Sequence, residues 1–154
     1  MRFVEEMLHN KMIIAPLIAL LTAQILKTLI YVAVHREFNM ERLLGDGGMP
    51  SSHSATVMAL VTAAAFAEGP SSPTFAICCI FAMIVMHDAV GVRRETGKQA
   101  VVINDMIEFF ETMGKEIPAE EKLKEFVGHT PLQVTMGGIL GVIMGMTVCV
   151  WGGG

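Results

Sequence analysis

Four stretches of the chain are apolar for long enough to enter a membrane, and polar segments of unequal length separate them. Residues 12–34 (MIIAPLIALLTAQILKTLIYVAV) carry a single charge, Lys27. Residues 52–68 (SHSATVMALVTAAAFAE) are shorter and rich in alanine. Residues 73–92 (PTFAICCIFAMIVMHDAVGV) stay apolar until His87 and Asp88, and residues 131–151 (PLQVTMGGILGVIMGMTVCVW) end in Trp151, a residue suited to the bilayer interface. About 20 apolar residues cross a hydrocarbon core. The first, third and fourth stretches therefore read as spans. The second needs the residues before it, or a thin local bilayer, to cross.

The connections differ in kind. The turn EGPSSP (68–73) is tight and makes a helical hairpin of the second and third stretches, whereas residues 35–51 form a polar loop. Residues 93–130 are long and polar and must hold structure of their own. Within them Val102, Met106, Phe109, Phe110 and Met113 recur at helical spacing. That spacing predicts an amphipathic helix over 101–113, lying on the membrane or against the bundle. A second short helix is expected over 119–127, with Pro118 near its start. The expected fold is an all-α polytopic membrane bundle of about four membrane-embedded helices plus one or two amphipathic helices. It is a single integral-membrane domain over residues 1–154.

Composition supports the membrane and narrows the partners. Hydrophobic residues are 53% of the chain and charged residues 17%, where a small soluble domain carries about 25% charge. A net charge of −4 leaves no basic surface for nucleic acid. Cys78, Cys79 and Cys149 all sit in apolar runs and read as small hydrophobes, with neither metal-ligand spacing nor a disulfide framework. Loops 35–51 and 93–130 fall on one side of a four-helix bundle. That side carries Arg36, Arg42, Arg93, Arg94, Lys98, Lys115, Lys122 and Lys124, against Arg2 and Lys11 on the other. The bias points the loop face to the cytoplasm.

Small residues recur every four positions in three of the stretches: Ala15, Ala19, Ala23; Ala55, Ala59, Ala63, Ala67; and Gly137, Gly141, Gly145. Such stripes let helix backbones approach closely inside a bilayer. Extended toward the loop face, they reach Lys27 and Tyr31, Ser51, and then Gln133 and His129. The polar residues thus fall on the packed faces.

The candidate chemistry begins at GDGGMPSSHSATVMAL (45–60), where Ser51 or Ser52 can cap a helix and His53 sits in its first turn. A helix N-terminus is a ready anion site, although a well-capped helix alone accounts for the same residues. GHTPLQVTMGGILG (128–141) repeats the arrangement, with Thr130 as cap, Pro131 in the first helical position and His129 at the mouth. Between them, DAVGVRRETGKQA (88–100) supplies Arg93 and Arg94. Arginine forks suit phosphate oxygens, and an arginine pair just beyond a span is equally a topology signal. Lys27 is an ionisable residue inside a membrane helix, costly unless it serves a site or snorkels to the loop face.

MPSSHSA resembles the second signature of the type 2 phosphatidic acid phosphatase superfamily. GHTPLQVTMGGILG resembles the end of its third, and with DAVGVRRETGKQA the set is similar to the small acid phosphatase/vanadium-dependent haloperoxidase-related branch. The resemblance runs from about Lys27 to Gly145. It implies hydrolysis of a phosphomonoester or diphosphate without metal or cofactor. On that resemblance His129 takes the nucleophile's position, forming a phosphohistidine, and His53 takes the general acid's. Lys27, Arg93 or Arg94, Ser51 and Ser52 would hold the phosphoryl oxygens.

Three positions depart from the family pattern. No arginine-proline pair follows Lys27, and Arg94 and His129 are far apart in the chain. Gln133 stands where a carboxylate would orient and charge-stabilise the imidazole. Glutamine can orient the ring without bringing charge. Either Asp88 supplies that charge from the neighbouring span, or activity is weak, or the site only binds phosphate. The expected function is a membrane lipid phosphatase acting on a phospholipid or polyprenyl phosphate or diphosphate. A phosphate-binding pseudoenzyme or lipid carrier, and a small transport subunit, are the rival classes. The expected partners are a lipid phosphate and membrane lipids, with a homo-oligomer left open.

Overall fold

The computed structural model describes residues 2–36, 48–114, 123 and 128–151. Among them are six helices and no strand. The short α1 (Arg2–His9) precedes the first apolar stretch and is an addition to the expected elements. The expected helix over 119–127 lies outside the described residues, apart from Leu123.

Each long helix starts and stops where local chemistry dictates. α2 (Lys11–His35) begins at Asn10, whose Oδ1 accepts from Met12 N at 2.9 Å, and ends at Arg36 in the left-handed region. α3 (Ser52–Glu68) is capped by Ser51, whose Oγ accepts from Ser54 N at 3.3 Å. α4 (Pro73–Val90) is capped by Ser72, with Pro73 in the first turn. It stops at Gly91, whose N–H still donates to His87 O at 2.8 Å. α5 (Val92–Thr112) starts immediately after that glycine. The amphipathic helix expected over 101–113 is therefore longer than its apolar periodicity, and Arg93 and Arg94 belong to its first turn. α6 (Pro131–Trp151) opens with a capping box: Thr130 N donates to Gln133 Oε1 at 2.9 Å and Gln133 N to Thr130 Oγ1 at 3.3 Å.

α3 is the centre of the bundle, packed against α6 most extensively, then α2, then α4. Its interfaces are built from small residues. Ala15, Ala19, Ala23, Ala55, Ala59 and Ala63 form one fully buried cluster. Ala67 falls on an exposed face, and Ala64 is buried instead. That is the drift expected of a four-residue spacing on a 3.6-residue helix. A Cβ on Gly137 would strike the Ser51 carbonyl, and one on Gly141 the Ala55 carbonyl, with Met58 Cβ at 2.9 Å. One on Gly145 would lie 2.7 Å from Thr62 Cβ. The register rises together on both helices, so α3 and α6 run parallel from the loop face. At the far face Lys11 Nζ donates to Cys149 O at 3.3 Å, joining the start of α2 to the end of α6.

Large apolar side chains are on the outside. Leu21, Leu29, Ile77, Ile84 and Ile143 are each more than half exposed, while the core is chiefly alanine and glycine. This is the reverse of a soluble globule, and it suits lipid as the surrounding solvent. Among the described residues, three helical runs are long and apolar enough to cross a membrane: Lys11–His35, Pro73–Thr112 and Pro131–Trp151. α3, with 17 residues, rises about 25 Å against a core of about 30 Å. It is embedded among the spans, as its short apolar run predicts. The chain is a multi-pass membrane protein.

Candidate functional site

The parallel course of α3 and α6 brings two helix N-termini to one face. Backbone pairing fixes them: Ser51 N donates to Gln133 O at 3.0 Å, tying the cap of α3 to the first turn of α6. His53 stands in the first turn of α3 and His129 two residues before α6. Their ring centroids are 5.8 Å apart, with the planes tilted by 55°. His129 is buried at 4% exposure and His53 is half-buried. The two imidazoles are thus close enough to serve one small group at the dipole ends of both helices.

His129 is held there by the elbow between α4 and α5. Its N–H donates to Ala89 O at 3.0 Å. The preceding Gly128 has φ +90°, and a Cβ there would collide with the backbone of Arg93 and Arg94. Only glycine adopts that φ cheaply and lets the chain come so close. The 35-residue gap between Arg94 and His129 is therefore closed in space at the level of the backbone.

Lys27 enters from α2. It is 4% exposed, and Gly48 lies over its stem, where an added Cβ would stand 3.1 Å from Lys27 Cγ. Gly48 (φ +85°) is five residues before His53, so the lysine packs under the segment leading into α3. Ser51 and Ser52 are both buried at the same helix start. Ser51 Oγ serves the cap and also accepts from Ser54 Oγ at 3.1 Å.

The remaining expected residues are placed differently. Asp88 Oδ2 accepts from Arg93 Nε at 2.9 Å in a half-exposed ion pair. The side chain of Arg94 is exposed, as is that of Arg93. Gln133 Oε1 is engaged by Thr130 N, so the glutamine that sequence offers as the ring's partner acts in the helix cap. The T-x-x-Q spacing of a capping box carries that signal. One contributor lies beyond the sequence reading, the positive φ of Gly128; away from the rings, the Asn104 side chain holds the backbone of Leu123.

A groove beside the site adds a further feature. It has a volume of about 530 Å³ and is lined by Met58 and Val61 of α3 and by Cys79, Ala82, Met83, Met86, His87 and Val90 of α4. Its lining ends at His87 and Val90, flanking the Ala89 carbonyl that holds His129.

The fold and the site together define a helical membrane protein with a paired-histidine cluster on one face. The chain belongs to the divergent PAP2 family, which it matches over residues 8–144. It is similar to an uncharacterized membrane protein of Bacillus subtilis (strain 168), YuiD, with 42% identity over 148 residues. That alignment covers 90% of this chain and 94% of the relative. No solved structure matches the chain.

Proposed function

We propose that this chain is a membrane phosphatase that hydrolyses a lipid phosphate or diphosphate through a phosphohistidine. The observation that carries the reading is the 5.8 Å approach of His53 and His129 at the starts of two parallel helices. Membership of the divergent PAP2 family supports it. In this reading a His129 ring nitrogen attacks phosphorus and the bond to the leaving oxygen breaks. His53 gives its proton to that oxygen. Water, deprotonated by His53, then attacks phosphorus and releases phosphate and His129. The buried Lys27 and the helix N-termini offset charge on the phosphoryl oxygens.

The groove supports a lipid as the substrate. From Cys79 to Val90 its lining follows α4 for about 16 Å, close to one leaflet of a core about 30 Å thick. A phosphate at the histidines would leave a hydrocarbon tail alongside this groove.

Phosphate release from lipid phosphates in detergent, with His129→Ala beside wild type, tests the reading. Release is expected from wild type, to persist in EDTA, to be inhibited by vanadate, and to vanish in folded His129→Ala. A strict requirement for added magnesium points to another phosphatase class. The engagement of Asp88 by Arg93 and of Gln133 by Thr130 favours one second reading, a site that binds lipid phosphate without turnover. Vanadate binding without release from any lipid selects it.

A further inference from the structure

We propose that Asn104 is a positioning residue for His129, acting through a clamp on the segment that leads to it. The inference rests on the reading of His129 as the nucleophile. Asn104 lies inside α5, where asparagine is a poor helix former, and it is 6% exposed. The other buried positions of that helix are Gly97 and Ala100. A buried amide on so small a face is expensive unless its groups are used. Asn104 Nδ2 donates to Leu123 O at 2.9 Å, and Leu123 N donates to Asn104 Oδ1 at 3.0 Å. One side chain thereby holds both backbone polar groups of a residue 19 positions away.

Leu123 is five residues before Gly128. Gly128 is seated on the Arg93–Arg94 backbone, so α5 holds the chain at both of these positions, Leu123 through the Asn104 side chain and Gly128 through backbone contact. From there the chain passes to His129 and its hydrogen bond to Ala89 O. The clamp and the elbow together fix the approach of the imidazole to His53. Misplacing a reacting group by about 1 Å costs about 10²-fold in rate, so a residue remote from the rings can govern turnover.

Histidine-selective ¹⁵N labelling of the full chain in detergent tests this, with His129 assigned by the loss of its signals in His129→Gln. In Asn104→Leu the His129 signals should shift or broaden while those of His9 and His35 hold their positions. Asn104→Asp keeps the acceptor for Leu123 N and loses the donor to Leu123 O, and should give an intermediate displacement. If the leucine variant fails to fold, the aspartate variant carries the comparison. In the kinetic arm, kcat falls about 10²-fold in Asn104→Leu with KM unchanged. His129 signals identical to wild type overturn the proposal, and so does a uniform shift of all histidines, which marks general loosening. Wild type that releases no phosphate removes the phosphatase reading alone, and the spectra still decide the clamp.

Discussion

At Gly128 a single backbone angle joins the two halves of the site. Its φ of +90° and its contact with the Arg93–Arg94 backbone leave no room for a methyl group. Gly128→Ala is expected to cost at least about 1–3 kcal/mol, the range for a strained backbone conformation. It should also displace His129, so thermal unfolding and phosphate release should fall together. Asp88 gives the opposite expectation. Its bond to Arg93 is an ion pair with the two side chains 41% and 44% exposed, a type worth about 0–1 kcal/mol. Asp88→Asn should leave the melting temperature almost unchanged and turnover per folded molecule within a few-fold of wild type. A loss of 10²-fold or more in that variant would instead make Asp88 the charged partner of the imidazole. The two histidines were legible in the sequence because each stands beside a helix start marked by its own cap and proline. The spacing of Gln133 from His129 fits a ring partner on one helix face, and the same residue stands three positions after Thr130, where its Oε1 accepts from the Thr130 backbone N–H. Asn104 carried no local signal, since its partner is a backbone distant in the chain.

Among the elements, the α3–α6 contact is the one most exposed to a small change. Gly137, Gly141 and Gly145 each face α3 with no space for a Cβ, whereas a Cβ on Gly138 would meet Met58 Cγ at an ordinary 3.6 Å. Gly141→Ala is expected to destabilise the bundle by about 1–3 kcal/mol through overpacking against backbone. Gly138→Ala should be nearly neutral or slightly stabilising, because it removes a flexible residue from a helix. Thermal unfolding of both variants in one detergent measures the difference directly. The glycine and alanine stripes made this interface readable, because close helix approach in a bilayer demands small residues at a fixed period. The start of α5 was less readable. Val92 follows Gly91 directly, and the charged first turn (Val92, Arg93, Arg94, Glu95) has no apolar periodicity to announce a helix. Farther along, Val102, Met106, Phe109 and Met113 remain exposed on the side opposite Gly97, Ala100 and Asn104. That two-faced pattern is what the sequence did reveal.

For the whole molecule, the alternation of α2, α3, α4 and α6 sets which ends share a side. Ser51 pairs with Gln133 at the site face, and Lys11 reaches Cys149 at the other. Arg36, at the end of α2, and Arg93, Arg94 and Lys98, in the first turns of α5, are the described basic residues on the site side, and the sequence pattern assigns Arg42, Lys115, Lys122 and Lys124 to the same side by expectation, against Arg2 and Lys11 at the start of the chain. Short loops rich in Lys and Arg stay in the cytoplasm, so the site is expected to open there. Single cysteines in a background lacking Cys78, Cys79 and Cys149 test this in intact cells with a membrane-impermeant maleimide. Trp151→Cys, at an 86% exposed helix end on the far face, should be labelled from outside. Lys98→Cys, exposed on the site face, should react only after the membrane is opened. The reverse pattern would assign the eight basic residues to the outer surface and separate them from any topological role. It would also move the expected substrate to the other leaflet, because His53 and His129 stand at the end on which α3 and α6 begin.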